Sequence, residues 1–78
     1  MSEKELVEFV TKSLVDHPDK VSIKAVESEK STILELTVDE SDIGKIIGKH
    51  GRIAKAIRTI LSAVSNKSRK RVLLDIID

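Results

Sequence analysis

Seventy-eight residues with no cysteine, tryptophan or tyrosine, and a single phenylalanine, give room for one modest domain. They exclude a disulfide framework, a cysteine-based metal or redox site, and a stack of aromatics on which nucleotides could lie. The net charge of +1 conceals a division, since residues 1–42 carry five Lys and eleven acids (−6), residues 43–74 carry nine Lys or Arg and no acid (+9), and Asp75 and Asp78 close the chain (−2). Charge divided in this way lets a near-neutral chain present one basic face, which suits a nucleic acid and equally suits a solvated helix face.

In chain order, Ser2 and Glu5 stand at capping-box spacing, and Leu6, Phe9, Val10 and Leu14 follow at helical intervals, predicting a helix over 3–16 in which Phe9 belongs to the core. Pro18 and the polar stretch 16–20 predict a turn. Val21, Ile23 and Ala25 then alternate as a strand. The charged loop Glu27-Ser28-Glu29-Lys30-Ser31 leads to Leu34, Leu36 and Val38 on a second strand, so the two form a hairpin. Asp39, with Asp42 as a first-turn acid, predicts the start of a short helix through Ile43, Ile46 and Ile47, which the glycines at 48 and 51 end. A longer helix is predicted over 52–65, closed by Asn66 and a polar run. Val72, Leu74 and Ile76 then share one face of a last strand. The acidic, amphipathic start at Met1 is unlike a secretory signal, and no apolar run reaches membrane-spanning length. With the missing cysteines, this points to a cytoplasmic setting. The expected class is α+β, in the order α-β-β-α-α-β, with three helices on one face of a three-stranded sheet and residues 1–78 forming one domain.

The informative stretch is Ile46-Ile47-Gly48-Lys49-His50-Gly51-Arg52, a two-glycine turn between helices with cationic residues inside and beside it. Glycines lack the Cβ atoms that would hold a phosphate off the main chain, and they permit positive φ angles. The helix beginning at Arg52 turns its unpaired amides and positive dipole end to the same place. Lys49, Arg52 and Lys45 add charge, so a polyanion fits better than a lone carboxylate. A tight turn with ordinary surface lysines is the plainer reading of two glycines three apart.

With its flanking isoleucines, this stretch resembles the signature of the KH family, in which paired aliphatics precede a Gly-x-x-Gly loop and more aliphatics line the next helix. The N-terminal helix and strand resemble the type II KH arrangement. The Asp42-Ile43-Gly44-Lys45 approach and the helix from Arg52 to Ile60 look most like the small stand-alone bacterial KH proteins. The resemblance covers the whole chain. It implies a groove for about four nucleotides of single-stranded RNA, with the backbone clamped at Gly48–Gly51. Ile47 would anchor the loop, and Ile46 would contribute to the apolar floor. The expected RNA-binding residues are Lys45, Ile46, Ile47, Gly48, Lys49, His50, Gly51, Arg52 and Lys55. One departure from the pattern is Ala54, where a larger aliphatic is usual, which predicts a shallower groove and weaker base preference. The resemblance further implies a low-specificity RNA chaperone or post-transcriptional regulator, association with control of cell elongation and division, and pairing with KhpB, a Jag-type RNA-binding protein.

The helix over 52–65 is more apolar than one packing face requires. Ala54, Ile57, Leu61 and Val64 suffice to cover the sheet, which leaves Ile53, Ala56, Ile60 and Ala63 as a homodimer surface or an edge covered by neighbouring helices. Lys67, Arg69, Lys70 and Arg71 form a second basic cluster, roughly 20 Å from the glycine loop along the helix. His17 and His50 have no partners at catalytic or metal-ligand spacing, so no enzyme, metal or cofactor chemistry is expected. Two other readings of the chain are an assembly module with little RNA affinity and a duplex-DNA-binding helix-hairpin-helix. The latter is disfavoured by the absence of a proline before the turn and of a second hairpin.

Overall fold

The computed structural model describes residues 2–65 and 70–77. Helix α1 (Glu3–Leu14) opens on the expected capping box: Ser2 Oγ accepts from the Glu5 amide at 3.1 Å, and Glu5 Oε1 accepts from the Ser2 amide at 3.0 Å. A 3-10 turn at Pro18–Lys20 leads into β1 (Ser22–Glu27). The hairpin closes where the Ser28 amide donates to the Ser31 carbonyl, and β2 (Ser31–Thr37) follows. After a 3-10 turn at Glu40–Asp42 come α2 (Ile43–Ile47), α3 (Arg52–Ser65) and β3 (Arg71–Ile76). The sheet order is β1-β2-β3, with β1 antiparallel and β3 parallel to β2. This is the expected type II KH arrangement. Among the described residues, no helix is long and apolar enough to cross a membrane.

The core forms where the helices meet one face of the sheet. Val7, Leu34, Leu36, Ile46, Ile57, Leu61 and Leu74 pack there. Strand alternation places Leu34 and Leu36 inward, while the helical period brings Ala54, Ile57 and Leu61 down onto the sheet. Three expectations are corrected. Phe9 is 64 % exposed; it stands roughly 200° round the helix from Val7, and Val7 and Thr11 take the inward positions. On α3, Val64 is half-exposed, and the inward position one residue on is filled by Ser65. On β1 only Ile23 is buried, and Ala25 faces solvent.

The α1 boundary has a physical cause. The expected helix to residue 16 stops at Leu14, because Val15 turns extended and buries its side chain. The next two amides are then captured from far along the chain: Asp42 Oδ1 accepts from the Asp16 amide at 3.2 Å, and Oδ2 accepts from the His17 amide at 3.0 Å. His17 Nδ1 lies 3.1 Å from the same Oδ2, and Lys45 Nζ donates to Asp42 Oδ1 at 3.4 Å and to Asp16 Oδ2 at 2.6 Å. Asp42 is fully buried and closes this network. It is therefore more than a first-turn acid, because it ties the end of α1 to the start of α2. Asp39 caps the intervening turn through the Ser41 amide at 3.1 Å, so α2 begins at Ile43.

Burial alone would raise the Asp42 carboxyl, but the Asp16 amide, the His17 ring and amide, and Lys45 overcome it and hold the group below the usual carboxylate range. Lys45 is raised in turn, chiefly by its bond to Asp16. The fold thus brings His17, Asp39 and Asp42 within 4.8 Å of one another, a grouping that linear spacing did not reveal. Its chemistry is that of a brace, since the donors already named occupy the acceptor sites of Asp42.

Candidate nucleic-acid interface

The loop expected to grip an anion is built from left-handed backbone. Gly48 has φ 76°, His50 φ 59° and Gly51 φ 72°. Gly48 closes α2 by donating to the Gly44 carbonyl at 2.9 Å, and the Gly51 amide donates to the Gly48 carbonyl at 3.1 Å across a 3-10 turn at Lys49–Gly51. The two glycines have different tasks. A Cβ on Gly48 would come within 2.6 Å of Ile53 Cγ1, whereas a Cβ on Gly51 would meet nothing within 4 Å. Gly48 therefore serves packing, and Gly51 leaves open space above the main chain. Gly48→Ala is expected to cost about 2–4 kcal/mol in urea denaturation, from backbone strain plus the clash with Ile53. Gly51→Ala should cost only about 1 kcal/mol. Equal losses in the two variants would refute this division of labour.

Electrostatics point the same way. Lys49, His50, Arg52 and Lys55 are all exposed, and the first turn of α3 contains no acid. Cations gathered at a helix N-terminus oppose the dipole, an arrangement that an incoming anion would relieve. Lys45 does not join them. Its ammonium is engaged with Asp16 and Asp42, an engagement that the sequence did not reveal.

The two isoleucines exchange their expected places. Ile46 is fully buried in the core and anchors α2, while Ile47 is 39 % exposed and lines a groove. Successive helical residues diverge by roughly 100°, so only one of an adjacent pair can face the sheet. The groove has a volume of about 300 Å3 and is lined by Ile43, Ile47, Gly51, Ala54 and Arg58 together with Asp75 and Ile76 of β3. Ala54 lies on its floor, where a larger aliphatic would take up more of the space. Ile43, Arg58 and Ile76 were absent from the sequence reading of the site. Arg58 sits on the flank of α3 away from the apolar edge, and its Nε and Nη2 both donate to the Leu74 carbonyl at 3.4 Å. Only the parallel pairing of β3 with β2 brings that strand alongside.

On the other flank of α3, Ala56, Ile60 and Ala63 are exposed, with Ile60 at 45 %. Ile53 differs from them, being half-buried against the core and Gly48. Of the second basic cluster, Lys67 and Arg69 lie outside the described residues.

The family model for the KH domain of KhpA/KhpB matches residues 4–76. Among curated relatives, the chain is 58 % identical over 77 residues to RNA-binding protein KhpA of Borreliella burgdorferi, covering 99 % of this chain and 94 % of that protein. It is 51 % identical to RNA-binding protein KhpA of Aquifex aeolicus, covering 96 % and 95 %. The protein of that name from Clostridium acetobutylicum is 55 % identical, with 95 % and 99 % covered. No solved structure gives a significant match.

Proposed function

The chain belongs to the KhpA/KhpB KH-domain family, and from that premise we propose that it binds single-stranded RNA, gripping the backbone at Gly48–Gly51 and laying bases into the adjoining groove. The observation that carries this reading is the loop itself: three left-handed residues, open space above Gly51, and the exposed cations Lys49, Arg52 and Lys55 beside His50 at an acid-free helix start. Lys49, His50, Arg52 and Lys55 meet phosphates, and Gly48 and Gly51 shape the path. Ile47 contacts bases, Ile46 supports α2 from the core, and Lys45 acts through the brace to Asp16 and Asp42. Because most of the grip is on the backbone, the site suits a low-specificity chaperone or post-transcriptional regulator in the cytoplasm, with base preference confined to the one groove. Replacing Lys49 and His50 together by Asp tests the site.

A single four-nucleotide site binds weakly, and linking two copies raises the effective concentration of the second. The exposed edge of α3 at Ala56, Ile60 and Ala63, with Ile53 at its border, is the proposed homodimer surface. The same apolar edge motivates the second reading, assembly with KhpB or another copy without RNA affinity. Ile60→Glu is expected to shift sedimentation from dimer to monomer with unchanged circular dichroism. A folded variant that dimerises as before would remove the proposed surface.

A further inference from the structure

The groove beside the loop has a size and a polar edge that backbone gripping leaves unused. Gly51 belongs to both the loop and the groove lining, so a strand held at Gly48–Gly51 can place its next base there. Ile43, Ile47 and Ile76 form the walls, Asp75 lies beside them on β3, and Ala54, 4 % exposed, forms the floor. Arg58 stands at one side. Both of its contacts to the Leu74 carbonyl are long, at 3.4 Å, and a guanidinium carries five N–H donors, so most of its donor capacity remains available.

We infer that this groove selects guanine, with Ala54 setting the size of the base admitted and Arg58 reading the O6/N7 edge; the inference rests on the backbone-clamp reading above. The size argument follows from the floor. A pyrimidine over Ala54 leaves lining atoms without partners, whereas the second ring of a purine restores those contacts and removes more apolar surface from water. Apolar walls accept the flat face of any base, so the choice between purines falls to the polar edge. Guanine offers two adjacent acceptors, O6 and N7, matching a guanidinium fork. Adenine replaces one acceptor with an amino donor, which meets the arginine donors as like against like.

The test is fluorescence anisotropy with eight-nucleotide uridine RNAs carrying one central guanosine, adenosine or cytidine, alongside the all-uridine parent. The wild-type chain is expected to bind the guanosine RNA roughly fivefold or more tightly than the cytidine RNA or the parent, with adenosine between. Arg58→Met, a change at an exposed position, should lower guanosine to the adenosine level. Ala54→Val should narrow the spread among the four RNAs, bringing both purines toward the parent. If Ala54→Val does not fold, the wild-type ranking and Arg58→Met decide the matter. Equal binding of all four RNAs by the wild type would overturn the base selection and leave the clamp standing. Failure to retain any of the four would remove the clamp, and the selection with it.

Discussion

Replacing Lys49 and His50 together by Asp is expected to abolish retention of single-stranded RNA, weakening it roughly a hundredfold or more, while melting temperature and oligomeric state stay unchanged. Both side chains are exposed, so neither replacement disturbs the core. Position 50 holds φ 59°, a left-handed conformation that Asp tolerates better than most residues, so the loop keeps its path. What changes is the sign of the charge facing the phosphates. Filter binding with circular dichroism on the same samples measures both halves of the prediction. Equal retention by the variant and the wild type would remove the site. The salt dependence gives an independent reading: each phosphate contact adds about −0.7 to the log-log slope on single strands, so Lys49, Arg52 and Lys55 together should give a slope of roughly −2. A slope near zero would favour the assembly reading.

Asp42→Ala is expected to be the most damaging single change to the fold, lowering the melting temperature by roughly 15 °C or more. It strands the amides of Asp16 and His17, releases the His17 ring, and leaves Lys45 with Asp16 alone. The RNA site should weaken with it, because α2 carries Ile47 into the groove and ends at Gly48. The same carboxylate shapes the acid response. Its folded value is depressed, so its contribution is fully present above the ordinary aspartate value of about 3.9 and is lost as pH falls through the folded value. Lys45 is shifted the other way, so its share is intact through neutral pH and is lost only in strong alkali. Thermal melts between neutral pH and pH 3 should therefore fall more steeply for the wild type than for Asp42→Ala. Parallel slopes would show that the brace contributes nothing to acid stability.

Element order was legible because each signal was local: a capping box at Ser2 and Glu5, alternation at Leu34 and Leu36, and glycines ending α2. The loop residues were legible for the same reason, since Gly48–Gly51 is contiguous. Features that depend on tertiary placement were not. Phe9 was expected in the core because large apolar residues usually go there, yet the phase of α1 is set by Val7 and Thr11. Ile46 and Ile47 are equivalent in composition, and only the docking of α2 decides which faces the sheet. Asp42 bonds amides 25 and 26 residues earlier in the chain, a relation for which no local pattern exists. Arg58 and Ile76 enter the groove only through the parallel pairing of β3.

That pairing also bears on when the chain becomes competent to read bases. Residues 31–36 of β2 each meet a β3 partner forty positions later, as Ser31 meets Arg71. The crossover between the strands contains α2, the glycine loop and α3. Closing so long a loop costs entropy before any contact rewards it, which slows folding relative to the β1-β2 hairpin. During synthesis the hairpin and α1 can form early, but the groove lacks one wall until β3 docks. Base contact is therefore a late-arriving property of the chain, and a nascent chain without β3 offers RNA an unfinished site.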